Sequence, residues 1–299
     1  MPNPDDAPNA NEGVVSMTAI SSLLLGLSSF ALTYWAAIIG LILGVFALSQ
    51  ISVSQGRLKG RRWAVSGIAI SVIGLVVLLL VLPVLQATKR LQSLCNLGQL
   101  GLVLLNYESE HKCFPSHDSP ETDAAFNVSW RVKILPYLER QDLYDQYDQT
   151  QPWDSESNLA LLEKMPLIYT CPNMSSADIA SGLTVYQVPY VDLTKNPELQ
   201  VSAPIFESGQ PGINLSSITD GTSSTIAILE VDLDHAVPWT KPDDWEFDPD
   251  NPTRGLGDLR FGGVLVAYAD GGYQYVSCDD PVALKASVSY THLTLPTKA

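Results

Sequence analysis

The hydrophobic pattern of this chain changes character three times. From Met17 to Ile51 there are 35 residues without a single charge. As one helix they would reach ~52 Å, longer than an upright span of a ~30 Å hydrocarbon core needs. Either one tilted span carries an interfacial extension, or the chain breaks near Thr33 and Tyr34 into two halves. Halves of ~22 Å fall short of a span, so one crossing is the preferred expectation. The second run, Ala64 to Ala87, has 24 uncharged residues, with Arg61 and Arg62 before it and Lys89 and Arg90 after it. It measures ~36 Å as a helix and is expected to cross a membrane. The link from Ser54 to Arg62 carries Arg57, Lys59, Arg61 and Arg62. Short loops rich in Lys and Arg stay in the cytoplasm, so this helix runs outward. Trp63 suits an interfacial anchor, and Pro83 is expected to kink the helix near its outer end.

After Lys89 the pattern becomes one-sided. Leu91, Leu94, Leu97, Leu100, Leu104 and Tyr107 recur at helical spacing, so the helix is expected to continue out of the bilayer with one apolar stripe under a following domain. Cys113-Phe114-Pro115 ends it. Pro136–Tyr147 reads as an amphipathic helix with Pro in its first turn. A helix over Ser155–Met165, capped by Asp154, stops at Pro166. Thr225–Glu230 reads as a strand. Gly263–Tyr268 and Tyr273–Val276 form a hairpin through Asp270-Gly271-Gly272. Pro238–Asp258, rich in Pro, Asp and Trp, reads as a long loop. Helices first and strands later predict an α+β fold, the long helix packed on an antiparallel sheet.

Charge narrows the partners. Between Cys113 and Ser287 there are 27 Asp and Glu against 9 Lys and Arg. A domain this acidic lacks the basic footprint for nucleic acid or an anionic lipid surface. Residues 1–15 are rich in Pro, Asn, Asp and Ala, contain no Lys or Arg, and read as a disordered tail rather than a signal peptide. The cysteines are Cys95, Cys113, Cys171 and Cys278. A helical 95–110 would hold Cys95 and Cys113 more than ~20 Å apart, beyond disulfide reach. In an exported domain one or two disulfides are expected, with Cys171–Cys278 or Cys113–Cys171 in front. With no CxxC pair, zinc is not expected.

Two resemblances follow from the residues. SLLLGLSSFAL…GLILGVFALSQISVSQGRLKGRRWAVSGIAI, within residues 16–62 and just beyond, is similar to the DUF4190 type of membrane module. Residues 68–286 resemble the DUF1559 family of planctomycete-type bacteria, which also carries a solute-binding-protein label. The matching pieces are IAISVIGLVVLLLVLPVLQATKRLQSLCNLGQLGLVLLNYESEHKCFP, SWRVKILPYLERQDLYDQYDQTQPWDS, MPLIYTCPN, SITDGTSSTIAILE, AVPWTKPDD and GGVLVAYADGGYQYVS. The resemblance implies a pilin-like layout, one long helix half in the membrane and carrying a β-rich head. Together with the charge pattern it gives the expected domains: a membrane segment with a basic cytoplasmic loop (16–62), a membrane helix continuing outward (63–112) and an α+β head (113–287). Most members begin with a cleavable prepilin signal of the form G-F-T-L-x-E. This chain has no acidic residue from Ala64 to Lys89 and no such signal before it. A permanently anchored, non-polymerising relative is therefore expected. The family's His-x9-Asp-Gly signature also changes, because Arg260 stands where the His would be, ahead of Asp270 and Gly271. The last residues, 288–299 (VSYTHLTLPTKA), do not continue the family pattern. They look like a translated adapter read-through that would replace a natural C-terminus.

Candidate chemistry is sparse. His111, His117 and His235 have no GxSxG or HExxH companion, so no catalytic residue is assigned and no enzyme is expected. His292 falls in the tail. Asp243, Asp244, Glu246, Asp248 and Asp250, with Asp258 beyond them, could supply hard oxygen ligands to calcium. Their spacing is not that of an EF-hand loop, and a solvated loop is the plainer reading. Asp220-Gly221 and Asp270-Gly271 suit turns, and Gly262-Gly263 permit a close backbone approach. Trp130, Trp153, Trp239 and Trp245 are expected to pack, with a glycan or peptide surface as the alternative. The sequons at Asn127, Asn173 and Asn214 carry little weight in the bacterial source that the resemblance implies. The expected protein needs no cofactor. It sits in the inner membrane with its head in the periplasm or outside, and its partners are the membrane and pilus- or secretion-like envelope proteins. The alternative is a solute- or glycan-binding module.

Overall fold

The computed structural model describes residues 14–15, 34–54, 58–116, 126–191, 204–207 and 212–288. The chain divides into two compact units, Met1–Thr88 and Lys89–Ala299. The predicted tail up to residue 13, half of the first apolar run and the stretch 289–299 lie outside the described residues.

In the first unit, helix α1 covers Tyr34–Val53. Helix α2 begins at Arg61 and runs unbroken to His111, with Pro83 inside it. It is the one helix among the described residues that is long and apolar enough to cross a membrane. Pro83 has no N–H to offer the preceding turn, yet the helix continues through it. Small side chains let the two helices of this unit meet: Ala47 and Ala64 are both fully buried, with Leu48 and Ile51 against them.

The second unit is mixed helix and sheet. The four-stranded sheet comprises β1 (Tyr186–Gln187), β2 (Ile226–Glu230), β3 (Gly263–Tyr268) and β4 (Tyr273–Ser277), in the order β4-β3-β2-β1, all antiparallel. Every residue of β2 and β3 is buried. Continuous apolar strands of this kind belong to sheets covered on both faces. The outer part of α2 supplies one cover. Leu97, Leu100, Val103, Leu104 and Tyr107 are buried, whereas Leu91 stays exposed and falls off the predicted stripe. Gly98 and Gly101 let helix and sheet approach: a Cβ on Gly98 would collide with the Tyr273 ring, and one on Gly101 would stand 3.2 Å from the Gly271 Cα.

The predicted hairpin forms with one more residue, Gly263 pairing with Ser277. Its turn uses Gly271 at φ +81°, with the Asp270 carboxylate accepting the Gly272 N–H at 2.8 Å. Helix α3 (Pro281–Val288) is the last element among the described residues and buries Leu284 and Val288. Val288, placed in the tail by its sequence, is thus part of the core.

Two predicted helices come out shorter. Pro136–Tyr147 is a 3-10 turn, Leu135–Leu138, and a separate helical turn, Gln141–Tyr144. Glu139 between them takes a left-handed φ of +58°, which ends the first turn. Ser155–Met165 is a single helical turn, Glu156–Leu159, followed by a 3-10 turn, Leu162–Lys164. Its cap is Ser155, whose hydroxyl accepts the Asn158 N–H, and not Asp154. The loop 238–258 contributes Trp245–Glu246 to a parallel three-stranded sheet with Pro189–Val191 and Phe206–Glu207.

Candidate functional site

The head buries two charged clusters. The first gathers on Arg260. Its Nε donates to Glu230 Oε2 at 2.6 Å, and its Nη2 donates to Glu230 Oε1 at 2.8 Å and to Ser93 Oγ at 2.7 Å. The Cys171 thiol donates to Glu230 Oε1 at 3.0 Å. Three residues further along the helix, Asn96 Nδ2 donates to the Thr170 carbonyl at 3.1 Å and to Tyr186 Oη at 3.4 Å. Ser93 and Asn96 come from α2, Glu230 from the end of β2, and Arg260 from the turn before β3. The cluster therefore ties helix, sheet and turn at one end of the head. A two-bond arginine–carboxylate contact fixes direction as well as distance.

Burial sets the chemistry of this cluster. Glu230 is 1% exposed and Cys171 is 0% exposed. Burial first, and then the neighbouring Glu230 charge, push the Cys171 thiol up to about 12. A thiol held protonated is a poor nucleophile. Burial works against the Arg260 charge, but the Glu230 hydrogen bond and charge outweigh it and raise its pKa. Burial likewise raises the Tyr186 phenol. The grouping can hold surfaces together; it offers no exposed attacking atom.

The second cluster centres on Asp244. Its Oδ1 accepts Arg131 Nη2 at 2.5 Å, the Val188 N–H at 3.0 Å and Trp130 Nε1 at 3.1 Å. Arg131 Nε and Nη2 also reach the Tyr186 carbonyl. Both side chains of this ion pair are fully buried. Asp244 is thus a structural anchor, which removes it from the calcium candidates. Asp243 pairs with Lys241 at 2.6 Å. Asp248 caps its own turn by accepting the Asp250 and Asn251 N–H groups, and Glu246 sits on the short strand Trp245–Glu246. Among the described residues no three His, Cys, Asp or Glu side chains gather as a metal site.

The remaining candidates fall in separate places. The expected cysteine pairings do not form: Cys171 and Cys278 are both thiols, because Cys171 is committed to Glu230 and Cys278 packs beside Gly257. Burial raises the Cys278 thiol to about 11. His111 stacks on Tyr107 at 4.1 Å and meets Tyr137 Oη at 3.0 Å. His235 pairs with Asp234, and His117 lies outside the described residues. Trp130, Trp239 and Trp245 are core residues, while Trp153 lies under the Lys241 ammonium. Gly221 and Gly262 both take positive φ, as turns require. One open groove of about 540 Å³ lies among Glu108, Lys112, Asn214, Leu215, Ser216 and Thr222.

Sequence reasoning singled out Arg260 but missed its partners. The signal was a charge closing an otherwise apolar strand, Glu230 in TIAILE. Arg131 and Lys133 inside WRVKIL gave the same kind of signal. No curated protein and no solved structure matches the chain. A family model described as a protein of unknown function, DUF1559 (SBP_bac_10), matches residues 85–260. That stretch begins on α2 and ends on Arg260, and more than half of the sequence lies within it. The chain belongs to the DUF1559 family.

Proposed function

We propose that this protein is a membrane-anchored scaffold whose pilin-like head docks onto pilus- or secretion-like envelope proteins, without polymerising and without catalysis. The observation that carries the proposal is helix α2, apolar on all sides from Ala64 to Ala87 and one-sided where it covers the sheet. Four basic residues at 57–62 favour a cytoplasmic loop, and hence a head in the periplasm or outside. The lack of any acidic residue from Ala64 to Lys89 separates it from cleaved, filament-forming relatives. We assign residues 16–62 to a DUF4190-like membrane module and the chain to the planctomycete-type branch, on the motifs quoted above. A non-catalytic role is favoured by a buried, protonated Cys171 and by His111 and His235, which meet a tyrosine and an aspartate rather than a serine or cysteine.

Solute or glycan capture is the alternative. It has less support, because the open groove near Glu108 has no aromatic lining and binding sites are ordinarily concave and apolar. In-situ cross-linking with mass spectrometry on the native membrane decides between them. Reproducible links from the head to pilin-like or secretion components are expected. Links confined to the chain itself would reject docking and favour capture.

A further inference from the structure

The most exposed large apolar side chain among the described residues is Phe261, at 90%. It sits at the tip of the turn that leads into β3, and it is held there rigidly. Its φ is +53°, in the left-handed region that bulky residues rarely occupy. Such a backbone persists only where the surroundings over-determine it, and here they do. Arg260 on one side is bound to Glu230 and Ser93. Gly262 on the other side donates its N–H to the Gly257 carbonyl and accepts the Cys278 N–H, both at 2.8 Å. The fold thus displays a phenyl ring at a fixed place, pointing away from its own core.

Contacts between the hairpin and α2 say which end of the head that place is. The turn, at Gly271, lies against Gly101. Two residues on, the Tyr273 ring covers Gly98. Two more residues on, Tyr275 lies under the Arg90 guanidinium, 4.5 Å from its ring centre. Strand β4 therefore descends α2 toward Lys89. The last two residues add ~7 Å in the same direction and end at the Gly263–Ser277 pair, next to Phe261. The open end of the hairpin is the end of the head nearest to Lys89.

We propose that this end of the head is a lipid-facing collar, in which Phe261 inserts at the boundary between headgroups and acyl chains where α2 leaves the bilayer. The inference rests on the membrane anchoring proposed above and adds a second, peripheral contact to it. Aromatic side chains favour that depth. Tyr275, capped by Arg90, adds an amphipathic ring of the kind found in interfacial belts. Lys89 and Arg90 on the helix are offset by Asp279 and Asp280 just past Cys278. The insertion is therefore apolar rather than electrostatic, and it takes place on zwitterionic lipid as readily as on anionic lipid.

The test is photo-cross-linking of the full chain in phosphatidylcholine vesicles, with benzoylphenylalanine placed singly at Leu79, Phe261 or Leu167. Leu79 lies in the apolar run. Leu167 is 83% exposed on a 3-10 turn of the head and reports chance encounters. Lipid adducts at 79 and 261, several-fold above those at 167, are expected. Adducts at 79 alone would overturn the collar and leave the anchor standing. Absence of adducts at 79 would overturn the anchor and the collar together. Equal adducts at 167 and 261, or adducts at 261 only to a second protein chain, would also overturn the collar.

Discussion

Residues 64–88 and residues 89–111 lie on one helix, yet opposite rules govern them. In the first stretch large apolar side chains point outward all round: Leu79 is 73%, Leu80 66% and Val84 62% exposed. In the second stretch Leu97, Leu100 and Leu104 are buried, and the polar Ser93 and Asn96 reach specific partners across the head. A helix apolar on every side needs an apolar solvent, whereas a helix with one stripe needs a protein core on one side and water on the other. The difference teaches that surroundings, and not helix-forming tendency, decide which positions are free to vary.

Several substitutions break or sharpen that contrast. The largest effect is expected inside the head and away from the helix. Arg131→Met leaves Asp244 buried without its cation, and removing one partner of a buried pair costs about 3–5 kcal/mol. Urea unfolding of the full chain in detergent, followed by tryptophan fluorescence, reads the loss through Trp130, which also bonds Asp244. Next comes a direct pairing of the two stretches. Leu100→Ala is expected to cost about 2–4 kcal/mol in the same assay, whereas Leu79→Ala leaves the unfolding midpoint of the head in place. Equal shifts would erase the distinction between the stretches.

Gly101→Val is expected to cost about 1–3 kcal/mol, because its Cβ would press on the Gly271 backbone. The last effect, a loss of stability with rising pH, concerns Cys171 and is absent at neutral pH. The unfolded thiol ionises near 9.0, and the folded one is pushed up to about 12. The unfolded chain therefore loses its proton first. This group's contribution to stability is complete below pH 9 and fades as the pH rises toward 12. At neutral pH maleimide should label the exposed Cys95 while leaving Cys171 intact, as intact-mass measurement would show.

What was legible in the sequence followed from period and punctuation. The uncharged run and the stripe after it marked α2, and Asp270-Gly271-Gly272 between two apolar runs marked the hairpin. Each is a local signal with one physical solution. The short helices were misjudged because Glu139 turns left-handed inside an otherwise amphipathic stretch, which no periodicity reveals. The disulfide expectation failed because a buried cysteine is equally at home beside a carboxylate. The Arg260 cluster joins residues 93, 171, 230 and 260, and only the folded sheet brings such distant positions together. Asp244 left the calcium candidates for the same kind of reason, as the buried partner of Arg131.

On the proposed reading, α2 is a lipid-embedded anchor on one stretch and the cover of an external head on the next. Protease added to intact spheroplasts measures this in one step. Digestion of the chain beyond about residue 110, with the 57–62 loop spared and a protected fragment containing residues 64–88, is the expected result. A protected head with a cleaved 57–62 loop would reverse the orientation, and full digestion through residues 64–88 would contradict the anchor itself.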